Sequence, residues 1–349
     1  MSAITVLGAG LIGGYVSRCL VEEGHQVVVV DNSQQVLEEL ECETLCANAL
    51  DEQILDMHGV DIWVNMLPGS IGAQVRQPLL ARQACVVDLA FSAQSPPASS
   101  AGGRMVHDVG IAPGLSNLWV GALASQGLID VDIMVGGIPA EPDDGWSYMA
   151  PFSPSDVIEE YHRPARVLIN GEVRSLAALD RRRLVMIPQV GELEAAVTDG
   201  LRSLLQNVKA NNMMESTLRW PGHYQRFLQL GEMDQKTLDE LFEQWQFDPR
   251  RKEMTIMLVE CSTEQGQWRG FLNDRGGAGS SSMARTTGLV VLAAIDLALQ
   301  DGIPIGVHAP EQLPQLLGLA EQRLLAAGVH IERDPLTTDK ACSGLYRAS

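Results

Sequence analysis

The chain has 349 residues, 46% of them hydrophobic and 20% charged, the balance of a globular protein long enough for about two domains. Its formal net charge of −19 repels polyanions, so nucleic acid is excluded as an expected partner. The six cysteines are scattered, with no CxxC pair and no zinc spacing. No basic n-region precedes the apolar start, and no run of about 18 apolar residues occurs. A reduced, cytoplasmic compartment is expected, without metal, secretion signal or membrane span.

The chain opens with a short apolar strand, Ile4 to Leu7. Gly8, Gly10 and Gly13 follow at the spacing G-x-G-x-x-G, and a helix is expected from Leu11 to Glu23. Gly8 permits the tight turn, Gly10 lets the backbone approach a pyrophosphate, and Gly13 lets helix and strand pack closely. The helix N-terminus, with Leu11 and Ile12, presents N–H groups and partial positive charge to phosphates. A second strand, Gln26 to Val30, ends in Asp31, an acid placed to hold the adenosine ribose hydroxyls. Ser33 caps a helix to about Leu40, a weak strand follows near Thr44–Ala47, and Asp51–Met57 is helical. Asp61–Asn65 is a strand, Gly72–Ala81 a helix, and Cys85–Leu89 and Arg104–Asp108 are further strands. Strands alternating with helices predict an α/β fold with a parallel, Rossmann-type doubly wound sheet. Ligands of such sheets sit at the carboxyl ends of the strands. Asp31, Asn32, Asn48, Ala49, Leu67, Pro68 and Asp88 lie at such ends and complete the expected cofactor-binding set.

A helix over Ala112–Gln126 marks the change to a second, α+β domain with a mainly antiparallel sheet. Asp130–Gly136 is a strand, Pro139–Pro151 a loop, and Ser153-Pro154 starts a short helix. Val167–Ile169, Asn170-Gly171 and Glu172–Leu176 form a hairpin signal. Strands are expected at Arg183–Pro188, Leu193–Thr198, Thr217–Trp220, Thr255–Glu260 and Trp268–Asn273, with helices at Gly200–Val208 and Gln235–Gln246. Asp274–Ser282 is glycine/serine-rich and reads equally as a linker or as a loop over the cofactor cleft. Helices at Ala284–Gln300 and Glu311–Ala327 and a strand at Val329–Glu332 return to the first domain. The expected organisation is therefore residues 1–120 completed by 283–332 as the dinucleotide-binding domain, 121–282 as the substrate and dimerisation domain, and 333–349 as a peripheral tail.

Asp108 stands at the end of a strand beside the turn Gly110-Ile-Ala-Pro-Gly114, at the mouth of the expected cleft. It is read as a catalytic residue, with a plain domain-joining turn as the alternative. A domain that holds an amino acid needs cations for the carboxylate and acids for the ammonium. Arg163, Arg202 and Arg219 are the candidate cations, since a guanidinium is bidentate. Glu159, Tyr161 and Asp199 are candidates for the ammonium. His223 has the intrinsic pKa for proton transfer near neutrality and is read as the second catalytic candidate. For each, a salt bridge or a satisfied core polar group is the alternative. The four lysines, Lys209, Lys236, Lys252 and Lys340, sit in no motif-like turn, which speaks against an active-site lysine.

Taken together, GAGLIG, Leu67-Pro68-Gly69, Asp108–Asn117, Glu159–Arg166, Thr198–Ser203, Leu218–His223 and Ser282–Gly288 resemble the saccharopine dehydrogenase-like family over about residues 1–332. Within it, Ala112 replaces the acid that saccharopine-forming members carry before Pro-Gly, which favours the lysine 6-dehydrogenase branch. The resemblance implies a Rossmann domain completed by C-terminal helices, a nicotinamide cofactor, an antiparallel substrate domain used for dimer contact, and NAD-dependent oxidative deamination of the ε-amine of L-lysine. Saccharopine or a carboxyalkyl polyamine is the alternative substrate, with Arg163, Arg166 and Arg285 as further cations. A non-catalytic NAD-binding sensor is the alternative of another class. Asp31 without a neighbouring arginine predicts NAD over NADP.

Overall fold

The computed structural model describes residues 1–150, 153–276 and 280–334. The described chain forms two compact units, Met1–Leu115 with Met283–Gly328, and Ser116–Ser282 with residues 329–334.

In the first stretch β1 (Ala3–Leu7), α1 (Leu11–Glu22), β2 (Gln26–Asp31), α2 (Gln34–Leu37), β3 (Glu43–Cys46), α3 (Glu52–Leu55), β4 (Ile62–Asn65), α4 (Gly69–Ala81), β5 (Cys85–Asp88) and β6 (Arg104–His107) alternate. The second unit contains α5 (Leu115–Leu123), β7 (Leu128–Pro139), α6 (Pro154–His162), β8 (Ala165–Ile169), β9 (Glu172–Leu176), β10 (Arg183–Ile187), β11 (Gly191–Val197), α7 (Leu204–Asn207), β12 (Asn212–Arg219), α8 (His223–Leu228), α9 (Gln235–Gln244), β13 (Glu253–Thr263) and β14 (Gly266–Asp274). The chain then runs through α10 (Ser282–Leu299), β15 (Gly306–His308), α11 (Gln315–Ala326) and β16 (His330–Arg333).

The first unit is a seven-stranded parallel sheet in the order β15-β6-β5-β4-β1-β2-β3. Order reverses at β1, which places the glycine loop at the switch point where doubly wound sheets take ligands. Val6, Val29, Val64, Val86 and Val106 are buried, as strands covered on both faces require. The helix α10 is apolar and long enough to be compared with a membrane span. Its Val290, Val291, Leu292, Ala293 and Ala294 are instead core residues, at most 1% exposed.

The second unit is built on a mixed sheet in the order β10-β11-β12-β7-β13-β14-β16, with the β8–β9 hairpin joined to β12. One pair, β7 with β12, is parallel. The sheet is rolled, so the β10–β11 turn reaches the opposite edge strand, with Gln189 Nε2 3.1 Å from His330 Nε2. Met134, Ile138, Ile187, Leu193, Leu218, Ile256 and Phe271 fill the inside of the roll. Alternation along β12 then puts Glu215, Thr217 and Arg219 on the other face.

Three expectations are corrected, and one strand is added. The helix expected from Ala112 starts at Leu115, because Gly110 N donates to the Pro113 carbonyl (3.0 Å) and Leu115 N to the Gly110 carbonyl (2.8 Å), closing a turn first. The helix expected over Gly200–Val208 shrinks to α7, since Arg202 at φ 51° cannot sit in a right-handed helix. The strand at the end of the closing segment pairs with β14 in the second unit, not with the first. Finally, β15 adds a seventh strand to the first sheet; at three residues it is too short to carry a periodic signal.

Candidate functional site

In the first unit the candidate cofactor site is the loop after β1. Gly8 holds φ +101°, and a Cβ there would meet the Met66 carbonyl oxygen at 2.9 Å. At Gly13 a Cβ would fall 2.0 Å from the Gly8 carbonyl oxygen, so α1 lies directly on the loop. Gly10 differs, for a Cβ there would meet nothing within 4 Å. That open ground leaves room for a pyrophosphate to approach the backbone. Gly10 is also the N-cap of α1 and supplies no capping side chain, which leaves first-turn N–H groups for an anion. Asp31 braces the loop from β2, its Oδ2 accepting from Ala9 N at 2.7 Å and its Oδ1 from Ser33 N at 2.8 Å. Each oxygen retains a lone pair for a ribose hydroxyl. These residues fit a dinucleotide.

Leu11 and Ile12 form the first turn of α1. Asn32 is exposed just past β2, and Asn48 is exposed past β3 and accepts from Leu50 N at 3.1 Å. Ala49 is buried. Half-buried Leu67 and exposed Pro68 lead into α4, with Pro68 as its N-cap. They gather at the carboxyl ends of the adjacent strands β4, β1, β2 and β3. Asp88 does not join them. It is fully buried in an ion pair with Arg76, accepts from Asn65 Nδ2 and Ala90 N (2.9 Å each), and has no lone surface for a cofactor. Its assignment is corrected to holding the ends of β4 and β5 in place. Burial pushes its carboxyl up, and the Arg76 guanidinium opposes this.

Asp108 is buried at the end of β6 with φ 57°. This is an unusual conformation for a residue with a side chain, of the kind that collects at functional sites. Its Oδ2 lies 3.0 Å from His107 Nδ1.

In the second unit a cluster of polar side chains lies on the outer face of β12. Arg219 is buried. Its Nε donates to Tyr161 Oη at 2.6 Å and its Nη1 to the Leu218 carbonyl at 2.9 Å. The guanidinium lies 4.4 Å above the Tyr148 ring. Tyr161, from α6, lies with its Oη 3.1 Å from His223 Nε2, and His223 Nδ1 lies 3.1 Å from the Trp146 carbonyl. A carbonyl can only accept, so Nδ1 carries the hydrogen and Nε2 accepts from Tyr161. Trp146, Tyr148, Tyr224 and Trp245 enclose the ring. Burial, and then the charge of Arg219, push His223 down to about 3. The expectation of proton transfer by His223 is therefore corrected, because the ring stays neutral and fixes Tyr161, which fixes Arg219. Tyr161 is committed to the same relay and is not open to an ammonium.

Asp199 is likewise taken. It accepts from the Arg166 backbone N (3.0 Å), Nε (2.9 Å) and Nη2 (2.9 Å), with Arg163 Nε at 3.5 Å. Arg163 also pairs with Glu159 at 3.2 Å. Arg163, Glu159 and Asp199 thus join in one salt-bridge group between α6 and β8, and their assignment to substrate is corrected. Arg202 is buried in the turn between β11 and α7.

Two acids that the sequence reading missed lie on this side of β12: Glu215 on the strand itself, and Glu160 on α6, whose charge acts on Arg219. Glu215 is 3% exposed with its Oε2 2.7 Å from Thr198 Oγ1, and Glu160 accepts from Thr217 Oγ1. Burial, then the charge of Glu160, push Glu215 up to about 8. In α6 the phase of buried Val157 and Tyr161 puts Glu160, three residues after Val157, inward and leaves Glu159 exposed.

The model for the saccharopine dehydrogenase C-terminal domain matches residues 110–324, and that for the TrkA-N domain matches residues 4–62, across the glycine loop and Asp31. The first unit is accordingly a nicotinamide-dinucleotide domain. Among solved structures, apo saccharopine dehydrogenase (L-Glu forming) from Saccharomyces cerevisiae is similar at TM-score 0.76 and 15% identity, covering 97% of this chain and 100% of that one. At that identity the likeness is one of fold. DAP dehydrogenase from C. glutamicum in complex with DAP aligns at TM-score 0.46 and 12% identity, covering 90% of this chain and 95% of that one.

Proposed function

The chain belongs to the saccharopine dehydrogenase-like family of oxidoreductases, and from that premise we propose that it catalyses NAD⁺-dependent oxidative deamination of the ε-amine of L-lysine. The products are the 6-semialdehyde, which cyclises to piperideine-6-carboxylate, and ammonia. One observation carries the choice of a substrate with one carboxylate. Arg219 keeps Nη2 without a hydrogen bond to any described residue. The cations that a second carboxylate would need are spent elsewhere: Arg163 and Arg166 on Asp199, and Arg285 on the Ala327 carbonyl at 2.6 Å.

The residues then take these roles. Arg219 holds the α-carboxylate, its fork fixed by Tyr161 and His223, so that binding becomes orientation. Arg202 supports the same carboxylate. The ε-ammonium, with a free pKa of about 10.4, must lose a proton before Cε can give up a hydride, and Asp108 is the base that takes it. When bound, the nicotinamide supplies the hydride acceptor. Asp108 next assists the addition of water to the substrate imine. The Asp31 carboxylate repels a 2′-phosphate, which sets a preference for NAD⁺ over NADP⁺.

The test is a screen of amines and amino acids with NAD⁺, following reduced cofactor. L-Lysine gives the signal on this reading. A signal from saccharopine with none from lysine inverts it, and cofactor binding without turnover of any amine favours a sensor. Arg219→Ala weakens lysine binding and leaves NAD⁺ binding unchanged; equal affinities in both proteins would reject its role.

A further inference from the structure

Glu215, Thr198, Thr217 and Glu160 form a chain that the reaction above leaves unused. Thr198 Oγ1 lies 2.7 Å from Glu215 Oε2 and 2.8 Å from Thr217 Oγ1, and Thr217 Oγ1 is bonded in turn to Glu160 Oε1. Three oxygen–oxygen contacts at hydrogen-bond length therefore need three hydrogens. The two hydroxyls supply two. With both carboxylates ionised, one contact has none. A single carboxyl proton completes the set.

The proton belongs on Glu215. That residue is 3% exposed, while Glu160 is half-buried and its Oε2 has no hydrogen bond to a described residue. With the proton there, all bonds run one way. Glu215 donates to Thr198, Thr198 to Thr217, and Thr217 to the Glu160 carboxylate. The backbone closes over the acid, since a side chain at Gly200 would come within 2.4 Å of the Glu215 carboxyl carbon. The charged and titratable groups that face the chain are Asp199 beyond β11, held by Arg166 and Arg163, Arg219 on β12, Tyr224 on α8, and Glu160 itself on α6.

An independent feature points to a ligand. The Tyr148 hydroxyl is buried without a hydrogen bond of ordinary geometry, yet it feels both Arg219 and Glu160. Arg219 Nη2 and Glu160 Oε2 have no hydrogen bond to a described residue, and the Tyr148 hydroxyl, which lies near Arg219, has no acceptor among them. This is the donor and acceptor set of a zwitterionic α-amino acid.

We propose that Glu160 and Glu215 share one proton through Thr217 and Thr198, and that the single charge left on Glu160 receives the α-ammonium of an amino-acid ligand whose carboxylate Arg219 and Tyr148 take. Glu215 is a positioning residue, because its proton keeps the pair singly charged and the chain directed. The choice of ligand rests on the function proposed above; the shared proton does not.

The test has two arms, both on the full chain. Carboxyl ¹³C NMR of glutamate-labelled protein finds one carboxyl protonated at pH 7 that titrates near pH 8. The signal is absent from Glu215→Gln and displaced in Thr198→Val. Calorimetry in the presence of NADH finds L-lysine preferred over 6-aminohexanoate, which lacks the α-ammonium, by about tenfold or more. Glu160→Gln removes that preference without changing affinity for 6-aminohexanoate or NADH, and Glu215→Gln retains it. An ionised Glu215 at pH 7 overturns the shared proton. A wild-type protein that does not discriminate the two ligands, or a Glu160→Gln protein that still does, overturns the receptor. Discrimination with no turnover of lysine would reject the proposed reaction and leave this inference standing.

Discussion

Replacing Gly10 or Gly13 by alanine separates cofactor contact from folding within one loop. At Gly10 the backbone has φ −60° and ψ −172°, open to any residue, and the new methyl meets nothing within 4 Å. Folding therefore loses nothing, and the stiffer unfolded chain makes Gly10→Ala more stable by about 0.4–1 kcal/mol. If the loop holds the pyrophosphate, the same methyl stands in its path. Displacing one charge-assisted hydrogen bond costs about 1.5–3 kcal/mol, roughly a 10- to 150-fold rise in Kd. At Gly13 the methyl would sit 2.0 Å from the Gly8 carbonyl oxygen and 3.0 Å from its carbon. Backbone must move, so Gly13→Ala loses on the order of 1–3 kcal/mol of stability as well as affinity. Thermal melts of the free proteins with NADH titrations by calorimetry give both quantities. A Gly10→Ala protein that binds NADH like the wild type would refute the assignment of this loop to the pyrophosphate.

Other outcomes follow from the same geometry. Asp88→Ala leaves the Arg76 guanidinium buried and unpaired, and denaturant melts should show a loss of about 3–5 kcal/mol. Glu215 keeps its proton in the folded state up to about pH 8, while the unfolded chain releases it near 4.5. Wild-type stability therefore falls as pH rises through that window, by up to about 1.4 kcal/mol per pH unit. Glu215→Gln lacks this slope, which melts at pH 5, 6.5 and 8 detect. His223 goes the other way. Its folded value of about 3 lies below the unfolded 6.5, so its contribution is whole above pH 6.5 and is lost as pH falls. Imidazole ¹⁵N NMR should find a neutral ring protonated at Nδ1 from pH 5 to 8, and a midpoint near 6.5 would contradict the burial argument.

The strand, glycine loop and helix of the candidate cofactor site were readable because their constraints are local. The glycine spacing, the preceding strand and Asp31 lie within about thirty residues, the size of one βαβ unit. Asp88 shows where such reading stops. An acid at a strand end has the pattern of a cofactor ligand, and its partner Arg76 is concealed within a helix, where charge ordinarily signals solvent. His223 was misjudged for a related reason. Its intrinsic pKa is a property of the residue, but Trp146, Tyr148 and Trp245, which remove water from it, lie up to 77 residues away along the chain. Arg219 and Tyr161 were both picked out, yet their mutual contact across 58 positions was not. Glu160 had a signal in the phase of α6. Glu215 had one as the lone acid of β12, a strand buried on both faces.

The central claim is that the ε-nitrogen of L-lysine leaves as ammonia while NAD⁺ is reduced. It is tested most directly by incubating the full chain with NAD⁺ and L-lysine labelled with ¹⁵N at the ε-position. NADH is followed by absorbance and ¹⁵N-ammonium by NMR. Equal amounts of the two, rising together, are predicted. NADH formed without labelled ammonium, or formed from saccharopine and not from lysine, would contradict it.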